Sequence, residues 1–218
     1  MKSNESIDES AHLLRGFFAN KFKEYILLHQ HLAKNEFIYN YPYIQYKNIN
    51  GNPMIIGIKE GVDVLQEIYD KYETLNLNGQ VYDIMEKNIE LREVLLGIVR
   101  KQTPYSFLTP WLALNERNFE QYQKFDSWAK KKEFLEKILI GNIISMSKGL
   151  GYTVPEPIKA NINNFREVHT SLKGTPMLGF LGTFSVNFEI PDYWGIGKSV
   201  SRGFGTVVRQ TIEVRRQK

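Results

Sequence analysis

Helix, strand, strand, helix, strand, then strand, helix, strand, strand, loop, strand: this order of elements predicts an α+β protein. It reads as two tandem ferredoxin-like (RRM-like) domains, the first without an opening strand. Three observations carry the reading. Apolar stripes at helical spacing mark the helices, most clearly over residues 12–29 and 128–146. Alternating aromatic and β-branched runs joined by Asn-Gly or Lys-Gly turns mark the hairpins. A glycine-rich segment, Gly195 to Gly205, precedes a last β-branched run. The predicted division falls at residue 100, giving an N-terminal domain over 1–100 and a C-terminal domain over 101–218.

In the first half, Leu14, Phe18, Phe22, Tyr25 and Leu28 recur at steps of four and three, which places them on one face of a helix over 12–29. Residues 37–49 alternate as an aromatic-rich strand, with Tyr39, Tyr41 and Tyr43 on one side and Pro42 weakening its middle. The Asn50-Gly51-Asn52-Pro53 turn and a strand over 54–58 complete a hairpin. A second helix spans 61–72 with Val64, Leu65, Ile68 and Tyr72 inward, and 80–100 reads equally as strand or helix. Mostly polar residues precede the first helix, so no first strand is predicted.

The second half repeats the order. A strand is predicted over 105–114 despite Pro110, and a helix over 128–146 presents Phe134, Leu135, Ile138, Leu139 and Ile143. Strands over 158–170 and 176–188 are joined at Lys173-Gly174. The second helix of this half is reduced to a few residues around Asp192 to Trp194, and a strand over 206–214 closes the chain. Lys130, Lys131, Lys132 and Lys137 on the long helix read as a solvated face, with contact to a phosphate backbone as the alternative.

Composition narrows the class. The hydrophobic fraction of 42% is that of a folded protein, and the absence of cysteine removes disulfides and thiolate metal sites. The polar N-terminus lacks the apolar core of a signal peptide, and no apolar run approaches the ~20 residues a membrane span needs. A soluble, cytoplasmic protein is expected. Charge is uneven: residues 1–108 carry 12 Lys and Arg against 14 Asp and Glu, the remainder 16 against 10. A basic half suits a partner carrying phosphates.

The segment Gly195-Ile196-Gly197-Lys198-Ser199-Val200-Ser201-Arg202-Gly203-Phe204-Gly205 has the composition of an anion site. Glycines let backbone amides turn inward, and two cations stand between the glycine pairs. A glycine-rich turn before the last strand is the plain alternative. It is not a P-loop, because the position five before Gly197-Lys198-Ser199 is Asp192. A dinucleotide fingerprint is excluded too, since it must open a helix within a βαβ unit and too little chain remains.

Among four histidines, His29 and His31 lie two apart at the end of the first helix, where an extended backbone points both the same way. His12 and His169 read as structural or solvent-facing. RNA can be cut without metal because its own 2′-hydroxyl attacks the adjacent phosphate. The protein then supplies a base, an acid for the leaving 5′-oxygen, and cations for the charge on phosphorus. His29 and His31, with Tyr39, Tyr41 and Lys21 or Lys47, are the right residue types. On the residues alone, two surface histidines in a loop is the simpler reading. Metal-hydrolase and Ser-His-Asp patterns are absent from the sequence, so no cofactor and no metal are expected.

Gly-x-Gly, five residues, then Gly-Phe-Gly before a terminal strand resembles the glycine-rich loop of the CRISPR-associated repeat-RNA endoribonucleases (the Cas six family of the RAMP superfamily). Leu14-Arg15-Gly16-Phe17-Phe18, Leu28-His29-Gln30-His31 and Tyr39-Asn40-Tyr41-Pro42-Tyr43-Ile44-Gln45-Tyr46-Lys47 look like the amino-terminal half of its subtype I-B branch. The resemblance implies two ferredoxin-like halves and a catalytic histidine after the first helix. It assigns catalysis to His29, His31, Tyr39, Tyr41 and Lys47, and RNA binding to Lys21, Gly195, Gly197, Lys198, Arg202, Gly203, Phe204 and Gly205. The implied partner is CRISPR repeat RNA, with other effector-complex subunits or a second copy of the chain as further partners. Two functions fit: an endoribonuclease that processes CRISPR precursor RNA, leaving a 2′,3′-cyclic phosphate and a 5′-hydroxyl, or a non-catalytic RNA-binding subunit of the same ribonucleoprotein. The His-x-His pair favours the first.

Overall fold

The computed structural model of the chain describes residues 1–29 and 41–211. Residues 37–40 of the predicted aromatic strand and 212–214 of the predicted closing strand lie outside them. The first half runs β1 (Lys2–Ser3), α1 (Ala11–Lys21), α2 (Ile26–His29), β2 (Ile44–Ile49), β3 (Asn52–Gly57), α3 (Glu60–Ile68), β4 (Thr74–Leu77) and β5 (Gln80–Glu86). The second runs β6 (Gly97–Phe107), α4 (Glu116–Gln123), α5 (Trp128–Gly149), β7 (Ala160–Leu172), β8 (Thr175–Glu189), a single 3-10 turn (Val200–Arg202) and β9 (Val207–Arg209).

The first half does have an opening strand, which corrects the expectation from sequence. Its two residues, Lys2 and Ser3, pair antiparallel with Glu86 and Ile84 of β5. Two polar residues are too few to show alternation, so the strand is invisible until its partner is known. On its other side, the Met1 amino group donates to the Pro53 carbonyl of β3 at 3.0 Å. β1 thus lies between β5 and the β2–β3 hairpin, as the first strand of a ferredoxin-like unit does, and β4 adds an outer edge through its antiparallel hairpin with β5.

The single helix predicted over 12–29 is two. α1 stops at Lys21, and Lys23-Glu24 form a turn before α2. The apolar stripe survives the break, because Leu14, Phe18, Phe22 and Leu28 are all buried. They form one core with Ile44, Tyr46, Ile68, Tyr72 and Leu75.

The second half is a four-stranded antiparallel sheet in the order β7-β8-β6-β9, with the first strand again interior. The predicted strand over 105–114 begins earlier and ends at Phe107, just before Pro110. Trp111 rejoins the sheet as an isolated bridge to Phe180, its amide donating at 2.8 Å. The ambiguous 80–100 stretch resolves into β5, an irregular connection and the start of β6. In place of the reduced helix expected at Asp192 to Trp194, the helical residues are the turn at Val200–Arg202. α4 carries no apolar stripe, with only Tyr122 buried, and forms on an Asn115 cap that accepts from the Asn118 amide at 2.8 Å. α5 lays Leu135, Leu139, Ile143 and Met146 against Phe107, Trp111, Phe165, Phe180 and Phe184.

No helix among the described residues is long and apolar enough to cross a membrane.

Candidate nucleic-acid interface

The glycine loop runs from β8 to β9 and rests on the first half of the chain. Strand β2 supplies the seam. The Gly195 amide donates to Gln45 Oε1 at 3.0 Å, and the same oxygen accepts from Lys47 Nζ at 3.0 Å. Lys47 also donates to the Val200 carbonyl at 3.4 Å, and the Tyr41 hydroxyl to the Gly195 carbonyl at 2.8 Å. Gln45 and Lys47 are fully buried. Burial alone lowers the Lys47 ammonium to about 7, and burial raises the Tyr41 phenol so that it stays a donor.

The loop amides are largely used inside the protein. Ile196 donates to Gly205, Lys198 to Leu112, Arg202 to Ser199, Gly203 to Val200 and Gly205 to Pro110, all between 2.9 and 3.3 Å. The glycines are there because other groups press on them. A Cβ at Gly195 would stand 2.6 Å from Val200 Cβ, and one at Gly197 2.6 Å from Trp111 Nε1. One at Gly205 would fall on the Ile196 carbonyl oxygen, and one at Gly203 would stand 2.7 Å from Ala11 Cβ. The four glycines and their amides therefore make the loop fit its seat. What the loop presents outward is Lys198, which is exposed, with Arg202 and Phe204 half-buried.

Arg202 faces the start of α1. The contact between Gly203 and Ala11 brings that turn against the helix, and the Arg202 charge acts on both His12 and Arg15. Each is held below its ordinary value, first by burial and then by Arg202; burial does the same to Arg202 itself. Arg15 sits one helical turn after His12, the spacing that puts both on one face. Its guanidinium donates to the His29 carbonyl, tying the end of α2 to this cluster. His29 Nε2 is buried with no partner among the described residues.

Of the residues predicted for the site, His29 is bonded through its backbone carbonyl to Arg15, and the Arg202 side of the glycine loop is near enough for its charge to act on the same Arg15. Tyr41 and Lys47 lie in the same seam, bonded to the loop. His31 and Tyr39 lie outside the described residues. Lys21, the last residue of α1, is exposed with its ammonium 5.8 Å from the Phe22 ring centroid. Sequence reasoning missed Arg15, Gln45 and His12. The i, i+3 spacing of His12 and Arg15 on an amphipathic helix was the available signal. The lysines of α5 are paired: Lys130 with Asp126 at 3.0 Å, Lys131 with Glu167 at 3.5 Å, Lys132 with Glu136 at 3.7 Å and Lys137 with Glu133 at 2.7 Å.

Residues 1–94 match the family model of the Cas6b N-terminal domain, and residues 97–210 that of the Cas6b C-terminal domain. An uncharacterized protein of Methanocaldococcus jannaschii is 45% identical over 143 residues, covering 66% of this chain and 97% of its own. A crystal structure of Cas6b is 44% identical with a TM-score of 0.87, covering 92% of this chain and 91% of its own. A crystal structure described as the CRISPR RNA processing endoribonuclease Cas6b is 41% identical with a TM-score of 0.72, covering 90% of this chain and 89% of its own.

Proposed function

Because the chain belongs to the Cas6b family, we propose that it is a CRISPR RNA endoribonuclease that cuts within the repeat and needs no metal. The 2′-hydroxyl oxygen of one nucleotide attacks the adjacent phosphorus, and the bond from phosphorus to the 5′-oxygen breaks. A base removes the 2′-hydroxyl proton and an acid delivers one to the 5′-oxygen. The products are a 2′,3′-cyclic phosphate and a 5′-hydroxyl.

His29 and His31 are the acid–base pair in this reading, and Tyr39 is assigned to catalysis with them. Lys198 and Arg202 hold phosphates, Phe204 stacks on an unpaired base, and Lys21 extends the basic track. Tyr41 and Lys47 act by holding the loop in place, which is where their hydrogen bonds go. The chain divides near residue 100 into one half that brings the histidines and one that brings the loop.

The observation that supports the reading best is the Arg15 bond to the His29 carbonyl, with Arg202 acting on the same Arg15. It connects the end of the first helical segment with the cationic face of the loop, as cutting a bound phosphodiester requires. Repeat RNA incubated with the protein in excess EDTA tests it. Cleavage is expected, and a single 2′-deoxy substitution at the cut site should stop cutting while binding persists. Binding without cleavage of the unmodified repeat would instead make the chain a non-catalytic RNA-binding subunit.

A further inference from the structure

His12 has no part in the chemistry above, yet the fold brings it to the same seam. It lies in the first turn of α1, exposed, with Nδ1 2.6 Å from the Ser10 hydroxyl. The seating of Gly203 on Ala11 brings their neighbours, Arg202 and His12, to the same junction of the two halves, near enough for the Arg202 charge to act on the imidazole. The charged groups around them are cationic. Arg202 comes from the 3-10 turn and Arg15 from the next turn of α1. Glu9, the nearest carboxylate in sequence, is taken by the Tyr82 hydroxyl at 2.7 Å. Among the described residues no carboxylate pairs with Arg202. Beneath them the Tyr46 hydroxyl, on a side chain 1% exposed, acts on Arg15 and has no partner among the described residues. Two guanidiniums and an imidazole without a counter-anion make a site for one.

We propose that His12 and Arg202 form a phosphate-binding pair, in which His12 takes up a proton as an RNA phosphodiester settles between the two side chains. This rests on the reading that the chain binds repeat RNA. In the protein alone, partial desolvation of the ring and then the Arg202 charge favour the neutral imidazole. A phosphate offsets that charge and accepts a charge-assisted hydrogen bond from the imidazolium, so the protonated form wins in the complex. Binding is then linked to the uptake of up to one proton. Affinity rises as pH falls, by at most about tenfold per pH unit, between the His12 values of the complex and of the free protein.

The test uses repeat RNA carrying 2′-O-methyl groups throughout, which binds but lacks the attacking hydroxyl. Its affinity is measured from about pH 5.5 to 8 for the wild type, His12→Gln and His12→Lys, with thermal melts of each. The wild type should bind more tightly as pH falls. His12→Gln should lose that component and, at the acidic end, about 0.7 from the slope of log affinity against log salt. His12→Lys should bind tightly across the range, which also shows that position 12 tolerates substitution. If His12→Gln keeps the wild-type pH dependence and salt slope, the pair is refuted. Cleavage of unmodified repeat is followed in parallel. Cutting alongside an unchanged His12→Gln profile removes only this proposal, whereas a wild type that neither binds nor cuts repeat RNA removes the functional reading with it.

Discussion

Lys47 Nζ donates to the Val200 carbonyl at 3.4 Å from a side chain with no exposure, so an ammonium-bearing residue closes the junction between β2 and the glycine loop. Its ionisation is lowered by burial from 10.5 to about 7, and the sign of the consequence follows. Between about pH 7 and 10.5 the unfolded chain holds a proton on Lys47 that the folded protein does not. Stability from this residue therefore increases with pH through that window and is flat below it. The difference in unfolding free energy between wild type and Lys47→Met should grow by at most ~1.4 kcal/mol per pH unit above neutrality. Denaturant melts of both proteins from neutral to alkaline pH measure it, and a constant difference would show that Lys47 keeps its charge in the fold.

The proposed acid–base pair predicts a split between rate and affinity. His29→Ala and His31→Ala should each slow cleavage by roughly 10²–10⁴-fold, the range for a true general acid or base, while repeat affinity changes little. Single-turnover rates and binding isotherms on the same preparations separate the two. Wild-type rates in both single mutants and in the double mutant would place the chemistry elsewhere.

How much of this was legible beforehand depended on the length of each signal. The α1 stripe of Leu14, Phe18 and Phe22 and the α5 stripe of Leu135, Leu139 and Ile143 are long, periodic and buried as read. β1 and α4 were missed because two polar residues show no alternation and a helix with one buried side chain shows no stripe. The glycine loop was recognisable by spacing, but spacing does not say what fills the room a missing Cβ leaves. Here that room holds Ala11, Trp111, Val200 and the Ile196 carbonyl. Buried Gln45 and Lys47 look like ordinary polar strand residues until the loop from 150 residues away supplies their partners. Long-range junctions of this kind carry no local periodicity, and Arg15, His12 and Arg202 meet only through one.

Gly203 makes the packing role of the loop measurable. Its φ of 91° is open to glycine and resisted by a β-branched residue, and a Cβ there would meet Ala11 Cβ at 2.7 Å. Strain and overpacking each cost about 1–3 kcal/mol, so Gly203→Val should lower the melting temperature clearly in the absence of RNA. Gly203→Ala should be milder. Adding Ala11→Gly should recover part of its loss, because the steric half of the penalty goes while the φ half stays. A double mutant no better than the sum of its parts would mean that the two residues do not press on each other.

With the glycines occupied in packing, the contribution of the loop to RNA binding falls to its side chains. Lys198 is exposed and Arg202 half-buried beside His12 and Arg15, so the two should behave differently. Each, if it meets a phosphate, takes about 0.7 from the slope of log affinity against log salt when replaced by alanine, since one fewer counterion is released. Both losses should be the same for repeat and unrelated single strands, because a phosphate contact carries no base information. Arg202→Ala should also remove the charge that adds to burial in holding His12 and Arg15 down, raising the His12 pKa in the free protein, which NMR titration of the imidazole follows directly. Lys198→Ala should leave that titration where it was. An Arg202→Ala protein with an unmoved His12 titration would separate the two residues in space. An unchanged salt slope in both mutants would take the loop out of the RNA path and leave it as the wedge that joins the halves.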